Sequence, residues 1–133
     1  MRHIVLASHH RFAEGLADTL AFLGCQARPH VICAYLDERP LAPMVDELFA
    51  TFDPTDEVLV LTDILQGSVN QAFAPHMSDH VFLVTGATVS LALELCLSSE
   101  PLTAEAIEQS IELARSSICL VNSLTLEKDD GDE

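Results

Sequence analysis

Basic residues are scarce in this sequence. It has six Lys and Arg against 21 Asp and Glu, which gives a formal net charge of −15. The last seven residues hold five of these acids and one lysine, so they carry −4 and leave −11 on the rest of the chain. Because the phosphates of a nucleic acid would be repelled over most of such a surface, nucleic acid binding is not expected. The charge favours either a basic protein partner or simple solubility.

Long apolar runs and closely spaced cysteines are also missing. No run approaches the roughly 18 apolar residues of a membrane span, and the first residues lack the apolar stretch and cleavage site of a signal peptide. We therefore expect a cytoplasmic protein. The four cysteines have no CxxC spacing, which argues against a metal or redox motif, and buried thiols are predicted in the apolar surroundings of Cys33, Cys96 and Cys119.

Apolar residues, in contrast, make up 49% of the 133 residues, enough for the core of one domain. They occur in short β-rich runs that alternate with helical patterns. Strands are predicted at 4–7, 31–35, 57–62 and 81–84, with a fifth at 119–126. Four strand–helix repeats indicate an α/β fold with a parallel sheet, and the flavodoxin-like order 2-1-3-4 is predicted. The domain is expected to span residues 1–126, before a disordered acidic tail at 127–133.

The helices are predicted from apolar spacing and from capping residues. The first is expected at about 11–23 and the second at about 43–51. A third should begin at Ser68, which has the spacing of a capping box with Gln71. Two more are predicted near 91–98 and from about 103 onward. The side chains expected to face inward from the first helix are Phe12, Leu16, Leu20 and Leu23.

Polar residues follow the first and third predicted strands at the point where each strand ends. They are Ser8, His9 and His10 after the first strand, and Asp63, Gly67 and Ser68 after the third. In the predicted order these two strands flank the topological switch point of the sheet. A histidine, a carboxylate and a helix start should therefore meet at one edge.

This combination suggests a nucleophilic histidine. If Asp63 accepts a hydrogen bond from Nδ1 of His9, the tautomer is fixed and Nε2 is left free to attack. The carboxylate would also stabilise positive charge on the ring. The backbone at Gly67 allows an anion to approach closely, and Ser68 can donate through its hydroxyl. Phosphoryl transfer through a phosphohistidine fits these features, and it needs no cofactor and no metal when the donor is a phosphoprotein.

Other interpretations of the same residues stay open. His9 could be a plain surface residue of a polar loop, and Asp63 could cap a helix or turn. A zinc site using His9, His10 and a distant His76 or His80 lacks a recognised ligand spacing. A flavin site has little support, because the loop after the first strand has no phosphate-binding run of Ser, Thr and Gly, and the chain has no Trp and a single Tyr.

Three segments also carry a family pattern. They are Ile4-Val5-Leu6-Ala7-Ser8-His9-His10-Arg11-Phe12-Ala13-Glu14-Gly15-Leu16, Leu61-Thr62-Asp63-Ile64-Leu65-Gln66-Gly67-Ser68-Val69-Asn70 and Thr85-Gly86-Ala87-Thr88-Val89-Ser90-Leu91. In these segments the chain resembles the mannose-class enzyme IIA of the bacterial phosphoenolpyruvate:sugar phosphotransferase system. That family has Ser/Thr-His-Gly before an Ala-x-Gly-Leu helix, then Asp-x-x-Gly-Gly-Ser-Pro-x-Asn, then Gly-Val-Asn-x-Pro-Met/Leu. The likeness runs over nearly the whole chain.

The resemblance implies a phosphohistidine on His9, which takes its phosphate from phospho-HPr and passes it to a histidine of enzyme IIB. Asp63 would be the carboxylate partner of that histidine. The implied phosphate-binding residues are Ser8, His10, Gly67 and Ser68. The resemblance also implies a homodimer in which an antiparallel fifth strand, here residues 120–126, is exchanged between subunits. The membrane enzymes IIC and IID would be reached only indirectly.

The chain departs from the family pattern at four positions. His10 and Gln66 each replace a Gly, and Val69 and Ser90 each replace a Pro. These changes affect the conformation of the loops and the assignment of the transported sugar more than the phosphoryl-transfer chemistry. The sequence does not identify that sugar. His10 could also compete with His9. Two further functions stay open: the phosphotransferase subunit of a dihydroxyacetone kinase, and a non-enzymatic regulatory module of the same fold.

Overall fold

A computed structural model describes residues 1–124 of the chain. Its sheet contains β1 (Arg2–His9), β2 (His30–Ala34), β3 (Glu57–Thr62) and β4 (Val81–Thr85). These strands pair in parallel in the order β2-β1-β3-β4. The predicted α/β fold and its flavodoxin-like strand order are therefore confirmed.

The helices lie where the sequence predicts them, and their first residues differ from the predicted ones by at most two. They are α1 (Phe12–Phe22), α2 (Leu41–Ala50), α3 (Ser68–Phe73), α4 (Val89–Leu97) and α5 (Ala104–Arg115). A 3₁₀ turn, Ala74–His76, extends α3. Within residues 1–124, none of the helices has both the length and the apolar character needed to span a bilayer.

The core has two layers, one on each face of the sheet. Ile4 and Leu6 of β1 pack with residues of α1, α4 and α5, whereas Val5 and Ala7 pack with residues of α2 and α3. Because helices cover both faces, β1 is apolar at successive positions rather than at alternate ones. This arrangement leaves the carboxyl edge of the sheet for the polar residues that follow β1 and β3.

The buried stripe of α1 differs from the predicted one. Leu16 and Leu20 are buried as expected, but Phe12 and Leu23 are each 47% exposed. The buried stripe begins at Ala13 instead, and Phe12, the first residue of α1, stays exposed at the start of the helix. Leu23 follows the end of α1 and does not continue the helical spacing.

The four cysteines differ in burial, and Cys25 is buried in the core. Cys33 and Cys96 are half-buried, but Cys119 is exposed, so its predicted burial is wrong. Cys119 lies beyond the end of α5, where no helix holds it against the core. Burial and the neighbouring Cys25 raise the pKa of the Cys96 thiol to about 12, which disfavours thiolate chemistry there.

The segment predicted as a fifth strand, 119–126, contains a helical turn within its described residues. Residues 121–124 form a helical turn, and Ser123 N donates to Leu120 O at 3.0 Å. A strand needs a neighbour for its backbone hydrogen bonds, and a segment of a single chain satisfies them locally instead. Residues 125–126 and the acidic tail at 127–133 lie outside the described residues. The exchanged strand and the homodimer stay predictions.

Candidate active site

The carboxyl ends of β1 and β3 lie side by side at the switch point. Ala7 pairs with Thr62 near the ends of the two strands. Asp63, the first residue after β3, therefore lies next to the end of β1 at Ser8 and His9. The backbone N of His9 donates to Asp63 Oδ2 at 2.9 Å. The ring Nδ1 of His9 lies 3.1 Å from Oδ2 and 3.3 Å from Oδ1. The sheet thus brings the histidine and the carboxylate into direct contact.

The carboxylate determines where the proton sits on the His9 ring. Burial opposes ionisation of Asp63, but hydrogen bonds from the backbone and ring of His9 outweigh it and lower the pKa of this carboxyl. An ionised carboxylate can only accept, so Nδ1 donates, and Nε2 of the neutral ring keeps its lone pair. The side chain of His9 is 35% exposed and that of Asp63 is 15% exposed, so the ring is reachable while its partner is shielded.

Gly67 brings the backbone of the β3–α3 loop against the His9 ring. A Cβ at this position would lie 3.1 Å from His9 Cε1 and 3.2 Å from Nε2. Gly67 has φ +135° and ψ 175°, a conformation that is essentially restricted to glycine. The absence of a side chain at residue 67 therefore permits both the loop conformation and its approach to the ring edge that carries Nε2.

Ser68 begins α3, and its side chain does not cap the helix. Gly67 is the N-cap, so Ser68 is already helical and the predicted capping box with Gln71 is wrong. The Ser68 hydroxyl instead hydrogen-bonds the hydroxyl of Tyr35. Because α3 has six residues, its macrodipole attracts an anion less strongly than that of a longer helix. An anion bound here would therefore depend on hydrogen-bond donors of the loop itself.

The loop after β1 is held by Ser8. This side chain is fully buried, and its Oγ donates to His10 O at 2.9 Å and accepts from Ala13 N at 2.8 Å. These bonds tie the turn to the start of α1, and a direct contact of Ser8 with phosphate would have to replace one of them. His10 is exposed and has φ +56°, with its backbone N donating to Ala34 O at 2.9 Å.

Thr62 and Asn70 organise the loop, and sequence reasoning did not single them out. Thr62 is fully buried; its hydroxyl donates to Asn70 Oδ1 at 2.6 Å and lies 2.8 Å from the Thr85 hydroxyl. The Asn70 amide donates to Ile64 O at 3.1 Å and to Leu65 O at 2.8 Å. Asn70 thus fixes the chain between β3 and α3. The one available signal was an amide side chain placed just after a polar loop.

Tyr35 is the other residue that sequence reasoning missed. Ala34 pairs with His9, so Tyr35 leaves β2 at the edge where His9 stands. Its ring centroid lies 5.7 Å from that of His9, with 40° between the ring planes. Tyr35 has φ +70°, a left-handed conformation that is uncommon outside glycine.

The zinc alternative finds no support in the described part of the chain. Among residues 1–124, no group of three or more His, Cys, Asp and Glu side chains is placed to hold a metal ion. His76 Nε2 lies 2.8 Å from Asp46, and His80 Nδ1 lies 2.8 Å from Asp79. His80 directly precedes β4, which places it at the amino edge of the sheet, opposite His9.

Comparison with known proteins identifies the same family. The model of EIIA-man, the phosphotransferase system fructose IIA component, matches residues 3–112. A Klebsiella pneumoniae structure, assigned to the permeases of the phosphoenolpyruvate-dependent sugar phosphotransferase system, is 37% identical and covers 93% of each chain, with a TM-score of 0.86. Comparison with curated proteins found no match.

Two further structures are less similar in sequence. The IIA protein associated with the fucose utilization operon of Streptococcus pneumoniae is 26% identical over 93% of this chain and 96% of its own, with a TM-score of 0.73. The mannose/sorbose-specific IIA subunit of Enterococcus faecalis is 20% identical over 90% and 93%, with a TM-score of 0.74, and supports the fold alone. Because the family model matches most of the chain, the protein belongs to the EIIA-man family, the IIA components of the sugar phosphotransferase system.

Proposed function

We propose that this protein is a phosphocarrier that accepts phosphate from phospho-HPr on His9 and passes it to a histidine of enzyme IIB. The observation that carries the proposal is the hydrogen bond between His9 Nδ1 and Asp63, which leaves Nε2 as a free, partly exposed nucleophile. Membership of the IIA family supports the same reaction.

Each transfer forms one bond and breaks one. Nε2 of His9 attacks the phosphorus of the donor phosphohistidine, whose P–N bond breaks and returns its electron pair to the donor imidazole. Nδ1 keeps its proton in the hydrogen bond to Asp63, and the carboxylate stabilises the positive charge that the ring acquires. In the transfer to enzyme IIB, His9 is the leaving group. Neither step requires a cofactor.

The phosphoryl group would lie beside the β3–α3 loop. Gly67 leaves room next to Nε2, and the Ser68 hydroxyl supplies a donor at the start of α3. His10 would stand at the exposed rim of the site. Ser8 would hold the turn from beneath, since its hydroxyl is buried and already bonded on both sides.

Protein partners are supported by the surface around His9. Several large apolar side chains leave the same edge of the sheet and are exposed; they are Phe12, Leu36, Ile64 and Leu65. A cluster of exposed apolar residues commonly marks a docking surface. The net charge of −15 would speed association with partners that are basic around their own histidines. We place these reactions in the cytoplasm, with IIC and IID engaged only through enzyme IIB.

We also propose a homodimer that exchanges residues 120–126 as an antiparallel strand. Within the described residues β4 is an edge strand whose only neighbour is β3. Apolar side chains near the end of the described chain are strongly exposed: Leu113 at 60%, Ile118 at 71% and Leu120 at 67%. Burial of these residues between subunits would remove them from water. Light scattering should give twice the 14.5 kDa chain mass, and a monomer would contradict the exchange.

The test is phosphorylation with phosphoenolpyruvate, enzyme I and HPr. Wild type and His10→Ala should take up acid-labile, base-stable label, and His9→Ala should take up none. Label that is lost only in His10→Ala would move the acceptor to His10. No label on wild type, with an active cognate HPr, would refute the phosphocarrier function. Adding enzyme IIB should then discharge the labelled protein, whereas discharge only by a dihydroxyacetone kinase would assign it to that pathway instead.

A further inference from the structure

Tyr35 lies beside the candidate nucleophile in an unusual backbone conformation. It follows β2 directly and adopts φ +70°, a conformation that is unfavourable for a residue with a bulky side chain. Tyr35 is 48% exposed, so burial in the core does not account for this conformation. Its two contacts in the site are with the ring of His9 and the hydroxyl of Ser68. The backbone therefore holds Tyr35 at the site and not in the core.

The two hydroxyls satisfy each other in the unphosphorylated protein. Each hydroxyl has one hydrogen to donate and lone pairs to accept, so one of Tyr35 and Ser68 donates and the other accepts. Ser68 follows Gly67, whose backbone lies against the Nε2 edge of the His9 ring. The pair thus bridges from the end of β2 to the start of α3, next to the atom that would carry a phosphoryl group.

We propose that the Tyr35 hydroxyl is a phosphate contact, which turns from Ser68 to a phosphoryl oxygen when His9 is phosphorylated. This inference rests on the proposed function. A phosphoryl group on Nε2 brings acceptor oxygens and no hydrogen, so Tyr35 and Ser68 can each donate one hydrogen bond to it. A hydrogen bond to a charged acceptor is stronger than one between two neutral hydroxyls. The exchange therefore favours the phosphorylated state.

The half-exposed ring adds a second effect. The centroid of the Tyr35 ring lies 5.7 Å from that of His9, so we expect the ring to limit the access of water to this side of the imidazole. A phosphohistidine beside this ring should resist hydrolysis while it waits for a partner. The hydroxyl and the ring can be removed separately, by Tyr35→Phe and Tyr35→Ala.

The first readout is the partition of phosphate between this protein and HPr. Loss of one charge-assisted hydrogen bond in Tyr35→Phe should shift the equilibrium toward phospho-HPr by about tenfold. The phenylalanine ring should keep hydrolysis slow, whereas Tyr35→Ala should show both the shifted partition and faster hydrolysis. Ser68→Ala is the matched variant, because it removes the other hydroxyl of the pair and should shift the partition by a similar factor.

The second readout needs no variant of Tyr35. The chain has one tyrosine and no tryptophan, so protein labelled with ¹³C-tyrosine gives signals from this residue alone, even with unlabelled enzyme I and HPr present. Phosphorylation should shift the Tyr35 signals, and His9→Ala under the same conditions should show no shift.

The outcomes separate the two proposals. The phosphate contact would be refuted if His9 takes up stoichiometric label while the Tyr35 signals do not move. It would also be refuted if Tyr35→Phe partitions phosphate with HPr as wild type does. Either result would leave the phosphocarrier function intact. No label on wild-type protein would refute the phosphocarrier function, and the Tyr35 contact with it.

Discussion

The substitution Gly67→Ala tests the geometry around His9 most severely. Gly67 has φ +135° and ψ 175°, and a Cβ there would lie 3.1 Å from His9 Cε1 and 3.2 Å from Nε2. The added methyl group would therefore meet both a forbidden backbone conformation and the nucleophile. Carbon atoms pack best at about 3.5–4.0 Å, so the ring or the loop would have to retreat by a few tenths of an ångström.

Both effects have a predictable size. A residue held in this glycine-only region is destabilised by about 1–3 kcal/mol, so the free energy of unfolding should fall by that amount. Retreat of the ring would also stretch the 3.1 Å contact between Nδ1 and Asp63 and move Nε2 away from its attack position. A displacement of this kind should slow phosphorylation by roughly 10-fold to 100-fold.

Gly15→Ala is the matched control. Gly15 lies inside α1, and a Cβ there would meet no heavy atom within 4 Å. Alanine should stabilise this helix by about 0.5–1 kcal/mol and leave phosphorylation unchanged. Urea denaturation gives the two free energies of unfolding, and label uptake from phospho-HPr gives the two rates. A Gly67→Ala protein as stable and as fast as wild type would refute the close approach of the loop to His9.

Three further substitutions probe neighbouring features of the site. Asp63→Asn should lower the free energy of unfolding by about 1–3 kcal/mol at pH 7. Because the folded protein lowers the pKa of Asp63, the stability that this carboxylate contributes is complete above its unfolded pKa of about 4 and is lost as the pH falls through the folded value. The free energies of unfolding that urea titrations give for Asp63→Asn and wild type should therefore converge at acidic pH. A difference in free energy that stays constant with pH would contradict an ionised Asp63 paired with His9. His10→Gly relieves φ +56° and should stabilise the protein by about 0.5–1 kcal/mol with label uptake retained, as thermal unfolding and the label assay would show. Asn70→Ala removes the bonds to Ile64 O and Leu65 O and should destabilise by about 1–3 kcal/mol and slow phosphorylation; wild-type rates would exclude a positioning role.

The sheet and the His9–Asp63 pair could be predicted because they depend on rules that span the whole chain. Short apolar runs between helical patterns indicate a parallel sheet, and the switch point then lies between β1 and β3. Residues that directly follow those strands must meet, whatever the details of the loops. His9 and Asp63 are one residue or less from a strand end, so the uncertainty of the loops does not affect them.

The contacts of Ser68 could not be predicted in this way. Its spacing from Gln71 fits a capping box, but Gly67 becomes the N-cap and the Ser68 hydroxyl pairs with Tyr35. That partner lies 33 residues away in the sequence and depends on the positive φ of Tyr35. A local pattern contains no information about a contact set by two distant loops.

The structure of the end of the chain also depends on more than local pattern. The β-rich alternation of residues 119–126 predicts a strand, and residues 121–124 are helical in the single chain. Strand formation depends on a partner edge, which the sequence of the segment does not specify.

The hydroxyl of Ser8 illustrates the same limit, because only the fold shows that it is buried and bonded to His10 O and Ala13 N.

The most direct test of the account is to determine which nitrogen carries the phosphate. Protein labelled with ¹⁵N in its histidine rings should be phosphorylated by phospho-HPr and observed by NMR, with His9→Ala to assign the signal among the six histidines. Since Nδ1 of His9 donates to Asp63, we expect phosphate on Nε2 and a proton retained on Nδ1. Phosphate on Nδ1, or on another histidine, would contradict it.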